Sequence, residues 1–216
     1  YSCEYMRKSR HLFRYYAFML LTYLATIGVF LSADFITTFV FFELMSFTSY
    51  VLVIHEQTPG AMRAGQIYLA VAVIGGMVML MGLFMLNDIF GTLRFQDLYR
   101  LSASSFDPAG LYVAGALVFT GFGIKAGIIP LHIWFPDTYA LAPAPVPALL
   151  SGILSKTGIF GIILLSCRIF YEDAPWGSAV LFLGVITMFA GAFFALLSVD
   201  LKRTLAYSSV SQIGFI

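Results

Sequence analysis

Glu43 sits in the run Phe41-Phe42-Glu43-Leu44-Met45, Lys125 follows Gly121-Phe122-Gly123-Ile124, and Lys156 lies in Ser155-Lys156-Thr157-Gly158. Each is a lone charge in an apolar stretch. A charge at the centre of a membrane helix costs about 2.5–3.5 kcal/mol on insertion scales. A chain that keeps three such groups has a use for them, and carboxylates and amines in a nonpolar medium suit the uptake and release of protons or cations. Ser46 and Tyr50 follow Glu43 at three and seven residues, which extends a polar stripe down one helix face. The competing reading of Glu43 is a structural carboxyl, protonated or hydrogen-bonded to a neighbouring helix. A buried amine loses proton affinity through desolvation, so Lys156 also suits a protonation switch. A purely structural Lys156 would need a fixed carboxylate partner.

Pro130 has no N–H and clashes with the carbonyl four residues back, that of Ala126. The sequence therefore predicts a helix broken at Pro130, between Lys125 and Pro130, with water or a polar side chain near the freed Ala126 carbonyl. Inside membranes such breaks are tolerated only in protein or beside water, and transporters use them at midplane ion sites. Gly123 and Gly127 form a small-xxx-small pair, for which close helix packing is the simpler explanation. Beyond the break come His132, Trp134, Pro136 and Asp137, near the membrane surface. An imidazole with an ordinary pKa near neutral suits passing protons between water and Lys125; an interfacial histidine bonded to a carbonyl is the alternative. Gly121, Gly123 and Lys125 superficially suggest a phosphate loop, but no strand precedes them and G-x-x-x-x-G-K-[ST] is absent, which argues against nucleotide binding. Cys3 and Cys167 lack C-x-x-C spacing and read as small apolar fillers, so no metal or other cofactor is expected.

The elements that position these residues are membrane helices. The 216 residues are 60% hydrophobic and 11% charged, with a mean hydropathy of +0.91. Soluble domains carry about a quarter charged residues. The net charge of +1 argues against a nucleic-acid partner and leaves the lipid bilayer as the surroundings. Six stretches meet the requirement of roughly 20 apolar residues: 15–32, 34–54, 62–86, 111–134, 146–170 and 176–199. A seventh begins near Arg203. We expect an all-α, polytopic transmembrane bundle over residues 1–216, a single domain and a piece of a longer chain, since no Met opens it and it stops in an apolar stretch. The turn Ser32-Ala33-Asp34 predicts an antiparallel hairpin, and the connection from Asn87 to Gly110 a short interfacial helix. With the N-terminal flank in the cytoplasm, that side collects Arg7, Lys8, Arg10, Arg14, Arg63, Lys202 and Arg203 against Arg94, Arg100 and Arg168. Seven against three supports that orientation. Asp34, Arg168, Asp173, Asp200, Lys202 and Arg203 fall at helix ends, where solvated or snorkelling roles are the default.

Four segments carry a family resemblance. They are Phe42-Glu43-Leu44-Met45-Ser46 with Ser49-Tyr50; Lys125 through Pro130-Leu131-His132-Ile133-Trp134-Phe135-Pro136-Asp137; Ala142-Pro143-Ala144-Pro145-Val146 leading to Leu149-Leu150-Ser151-Gly152 and Lys156-Thr157-Gly158; and Asp200-Leu201-Lys202-Arg203 with Ala206-Tyr207-Ser208-Ser209-Val210-Ser211-Gln212. In order and spacing the chain resembles the antiporter-like subunits of respiratory complex I, membrane-bound hydrogenases, formate hydrogenlyases and Mrp-type cation/proton antiporters. The resemblance implies about fourteen helices in two inverted five-helix repeats, of which this chain holds the first and the start of the second. It implies a multi-pass, non-catalytic subunit in a prokaryotic cell membrane, beside other membrane subunits, translocating protons or Na+ without a cofactor of its own. It further implies that Glu43 and Lys125 tune each other's proton affinity and that Lys156 relays protons onward; on the translocation reading these three and His132 are expected to line the proton path. Where the family often has His, this chain has Tyr139, a departure at that step. Glu43 and Lys125 are expected to face each other across the second and fourth helices; at about 4 Å and an effective dielectric near 20 they would interact by roughly 4 kcal/mol. A standalone Mrp-type exchanger and a non-pumping anchor are the other two readings; buried charges count against the anchor.

Overall fold

The computed structural model describes residues 2–8, 11–101, 108–171 and 173–216, and among them it is all helix and turn, with no strand. After a short N-terminal turn come α1 (Leu12–Leu31), α2 (Phe35–Val53), α3 (Pro59–Phe90), α4 (Phe95–Leu101), α5 (Pro108–Ala126), α6 (Phe135–Leu141), α7 (Pro145–Arg168), α8 (Ala174–Leu197) and α9 (Leu201–Phe215). Among the described residues six helices are long and apolar enough to cross a membrane: α1, α2, α3, α5, α7 and α8. The short α4 falls in the 87–110 connection, of which residues 102–107 lie outside the described residues.

Local chemistry sets the helix ends. Asp34 accepts from the Thr37 N–H at 2.7 Å, Thr58 from Ala61 at 3.2 Å, Asp173 from Trp176 at 2.8 Å and Asp200 from Lys202 at 3.2 Å. These side chains satisfy N–H groups that a helix start otherwise leaves unpaired. The acids expected to be merely solvated are thus caps. Thr58 with Pro59 starts α3 earlier than the expected residue 62, and Gly91, at φ 70°, ends it later than 86. Its 32 residues span about 48 Å at 1.5 Å each, well beyond a hydrocarbon core of about 30 Å.

The expected fourth helix, 111–134, is corrected: α5 stops at Ala126, four residues short of Pro130, and the residue at the stop is Gly127 with φ 86°. That left-handed conformation is open to glycine at no steric cost and is a common helix terminator. The Gly127 and Ile128 N–H groups both turn back to the Gly123 carbonyl, at 2.9 and 3.0 Å. Ile128 thereby abandons the Ile124 carbonyl, and the Trp134 indole N–H replaces it at 2.8 Å. The displaced carbonyl that finds a side-chain partner is therefore Ile124's, not Ala126's. The Ile129 N–H goes to Thr187 Oγ1 of α8 at 3.2 Å. The break is closed by side chains from both sides.

Contacts sort the connections into two ends. Arg14 donates to the His55 carbonyl at 3.0 Å, a Cβ on Gly60 would meet Leu141 at 3.5 Å, and Lys202 donates to the Ala140 and Ala142 carbonyls at 3.2 and 3.0 Å. At the other end Phe35 and Leu93 share a backbone bond of 3.1 Å, and Tyr112 donates to Asp173 at 2.6 Å. Lys202 and Arg203, expected to snorkel, instead grip α6, the latter through an ion pair to Asp137 at 2.9 Å.

Lipid tails are as apolar as leucine, so helices associate in a bilayer through close packing and small residues. Gly158 of α7 shows this: a Cβ there would lie 2.5 Å from both the Ala126 nitrogen and the Phe122 carbonyl of α5. α5 is wedged between α3 and α7, and Phe122 meets Phe42 of α2 edge-on at 5.3 Å. α8 packs chiefly along α9.

Candidate functional site

Lys125 is the penultimate residue of α5 and only 2% exposed. The stop at Gly127 leaves the negative end of the helix dipole at its ammonium. Its Nζ donates to Tyr68 Oη of α3 at 2.8 Å and lies 4.7 Å from the Tyr68 ring centre and 5.8 Å from that of Phe42. Two ring faces and one hydroxyl thus surround the charge, an arrangement that attracts a desolvated cation. Tyr68 Oη continues to Ser49 Oγ of α2 at 2.6 Å, and Ser49 donates to the Met45 carbonyl at 2.7 Å. Trp134, which holds the break, also packs on the Tyr68 ring with centres 4.9 Å apart. The helix break and the lysine's partner are braced by one side chain.

Glu43 stands half-buried on α2. Its carboxylate occupies the space that Gly76 of α3 leaves by having no side chain: a Cβ there would sit 2.5 Å from Oε1. Oε1 is fully buried and has no hydrogen-bond partner among the described residues. The Lys125 charge acts on this carboxyl, but the two make no direct ion pair; among the described residues the sole ion pair is Arg203–Asp137. Tyr68 and Gly76 are eight residues, about 12 Å of helix, apart on α3. The expectation of direct contact is corrected: Lys125 touches tyrosine, and Glu43 acts on it through space. The polar stripe below Glu43 also divides, since Ser46 bonds back to the Phe42 carbonyl at 2.9 Å and the neighbouring Ser49 makes the link to Tyr68.

Lys156 lies half-buried on α7, just past a π-turn at Leu150–Leu154, and makes no hydrogen bond or ion pair among the described residues. No carboxylate among them holds it. Gly158, two residues on, touches α5 at Ala126, so Lys125 and Lys156 flank the same helix crossing. Thr157 reaches Met45 of α2 at 3.8 Å. Single-turn π-bulges recur at functional sites, and this one adjoins a candidate.

His132 lies in the turn between α5 and α6. It stacks on Phe194 of α8 and faces Tyr207 of α9, each with ring centres 6.2 Å apart. Burial pushes its pKa below the ordinary histidine value, and the nearby Pro130 carbonyl opposes that shift. Three helices thus bring Glu43, Lys125 and Lys156 together; His132 belongs to a different aromatic setting. Reasoning from the sequence missed Tyr68, Ser49 and Gly76. A tyrosine inside the apolar run Ile67-Tyr68-Leu69 and the pair Gly75-Gly76 were the available signals.

Comparison with known proteins places these features. Residues 32–216 match the family model described as NADH:quinone oxidoreductase/Mrp antiporter, TM. The chain is 35% identical over 180 residues to hydrogenase-4 component B of Escherichia coli K12, covering 82% of this chain and 26% of that protein. It is 32% identical over 208 residues to a Na(+)/H(+) antiporter subunit of Alkalihalophilus pseudofirmus, covering 95% and 42%. Among solved structures, the membrane-bound sulfane sulfur reductase, an archaeal respiratory membrane complex, contains a chain that superimposes with a TM-score of 0.86 at 27% identity, over 96% of this chain and 43% of that one. The chain therefore spans about a quarter to two fifths of the length of the relatives it matches.

Proposed function

We propose that this chain, which belongs to the NADH:quinone oxidoreductase/Mrp antiporter transmembrane family, translocates protons or cations as one subunit of a redox-driven complex in a prokaryotic cell membrane. The observation that carries this reading is Lys125: an ammonium 2% exposed, held by one tyrosine hydroxyl at the end of a broken helix, with a half-buried carboxylate acting on it through space. A structural lysine would sit against its counter-ion. An ammonium with a neutral partner and a remote carboxylate can release its proton when the field from Glu43 changes. Protonation of Glu43 removes the opposing charge and favours release from Lys125, and Lys156, with no fixed partner, suits receipt. His132 suits exchange at the break. The partners under this reading are other membrane subunits, as in the respiratory membrane complex that the related sulfane sulfur reductase chain belongs to by description.

A standalone cation/proton exchanger is the second reading, favoured by the 32% identity to the Na(+)/H(+) antiporter relative over 95% of the chain. One measurement separates and tests both: proton uptake by everted vesicles that hold the whole complex, driven by an electron donor or by an imposed Na+ gradient. The redox reading expects donor-driven uptake that is lost in Lys125→Ala. Uptake driven only by Na+ supports the exchanger, and donor-driven uptake unchanged in Lys125→Ala overturns the assignment of the site.

A further inference from the structure

Ser49 of α2 has no role in the Glu43–Lys125–Lys156 set, yet it is fully buried behind it. Its Oγ lies 2.6 Å from Tyr68 Oη, which takes the Lys125 N–H at 2.8 Å, so one line of three polar groups runs from α5 through α3 to α2. Donor counting fixes the direction of that line. An ammonium has three donors and no acceptor, and a hydroxyl has a single proton to give. With Lys125 charged, Tyr68 Oη accepts from Nζ, so its own proton must point at Ser49 Oγ. Ser49 in turn gives its proton to the Met45 carbonyl at 2.7 Å or to that of Ser46 at 3.1 Å. Every group is then satisfied.

Loss of a proton from Lys125 changes one end of the line. The neutral nitrogen carries a lone pair, and the phenol O–H, the stronger acid, becomes the donor between the two. Tyr68 then turns its proton to Nζ, and Ser49 turns its own from the Met45 carbonyl to Tyr68 Oη. The Met45 carbonyl lies within α2 and keeps the helix's backbone bond, so it gives up the hydroxyl at little cost. Both states use the same heavy-atom positions; only hydrogens swing.

We propose that Ser49 is a positioning residue that acts through Tyr68: the Tyr68–Ser49 hydroxyl pair reverses its direction with each loss and gain of the Lys125 proton, and so lets one buried site hold the lysine both charged and neutral. This rests on the proton-translocating reading above. No proton passes along the pair. One Lys125 N–H bond breaks, its electron pair stays on Nζ and its proton goes to the onward acceptor, while both O–H bonds rotate and stay whole. The other titratable groups around Lys125 are Glu43 on α2, Lys156 on α7 and, behind the Trp134–Phe135 stack, Tyr139 on α6. None of the three hydrogen-bonds to Tyr68 or Ser49 among the described residues. Removal of the Ser49 hydroxyl therefore has one sign. A charged Lys125 would leave the Tyr68 O–H buried and unpaired, whereas a neutral Lys125 would still accept it, so the neutral form is favoured.

The test measures proton uptake per electron transferred, in everted vesicles holding the full-length subunit in its complex, from about pH 6 to about pH 10, where an essential ionisation shows as a limb of the profile. On this reading the alkaline limb marks the pH above which Lys125 is no longer recharged. Ser49→Ala should move that limb down by about one pH unit, the size expected of an unpaired buried hydroxyl. Ser49→Thr keeps a hydroxyl and should leave the limb in place. Added to Tyr68→Phe, Ser49→Ala should shift nothing further, because Ser49 acts only through Tyr68. Where Ser49→Ala does not assemble, Ser49→Cys decides: a thiol is a weak acceptor and should move the limb the same way. A limb at the wild-type pH in Ser49→Ala or, failing its assembly, in Ser49→Cys, while Lys125→Ala abolishes uptake, overturns the switch and leaves the main reading standing, even where the rate falls equally at every pH. Wild-type uptake in Lys125→Ala overturns the main reading first.

Discussion

Two membrane-crossing helices, α5 and α8, reverse the habit of water-soluble proteins. In α5, 56% of the spanning residues are buried; in α8, the more apolar of the two, 11% are. α8 turns Leu181, Phe182, Phe189, Phe193 and Leu196 outward, whereas α5 keeps Lys125 inside. In water the most apolar side chains go inside. With lipid as solvent an exposed phenylalanine loses nothing, and the polar group is what needs the interior. On these two helices the apolar side chains face out and the charge faces in, the reverse of the pattern in water.

The sharpest way to break that contrast is to truncate each helix in turn. Lys125→Ala should cut donor-driven proton uptake more than ten-fold, while Phe189→Ala on α8 should leave it within about two-fold. Equal losses would remove the distinction. Gly158→Val should come next. Its side chain would meet α5 backbone at 2.5 Å, and overpacking of this kind costs about 1–3 kcal/mol, seen as a lowered unfolding temperature in detergent. A valine at Gly177, at the open start of α8 with nothing within 4 Å, should not shift that temperature by packing.

Glu43→Gln tests coupling through space. Because the carboxylate does not touch Lys125, its loss should reduce uptake several-fold, less than Lys125→Ala. The double variant should be no worse than Lys125→Ala alone; strictly additive losses would show two independent roles. Tyr68→Phe keeps the ring beneath the ammonium and removes only the 2.8 Å hydrogen bond. Uptake should fall a few-fold, and an unchanged rate would show that the ring faces suffice.

The smallest effect belongs to His132, on the α8 side. Its folded pKa is lowered, so between the ordinary value near 6.5 and the lowered one the unfolded chain binds more protons than the folded chain. Stability present at neutral pH is lost as pH falls through that window and levels off below it. Thermal unfolding at about pH 7.5 and 5.5 should show a loss that His132→Gln reduces; an equal loss in both would assign it to other groups.

Much of this was legible in the sequence because it is local. Apolar run length gave the six spans, and the cost of a charge in lipid singled out Glu43, Lys125 and Lys156. Asp34 and Asp173 stand where capping aspartates belong and Pro59 at a helix start, local signals that the reading of these acids as solvated and of the third helix as starting at 62 passed over. The interruption after Lys125 was also visible, although its cause was assigned to Pro130 when Gly127 had already turned the chain. What only the tertiary structure decided is which group meets which. Lys125 pairs with Tyr68, 57 residues away, rather than with Glu43, and Glu43 fits against Gly76. The reason lies in what a sequence encodes at short range. Periodicity places a residue on a face of its own helix, but the rotation of one helix against another follows from how small and large side chains interlock along whole surfaces. A single glycine such as Gly76 or Gly158 sets that rotation only once its neighbour is in place.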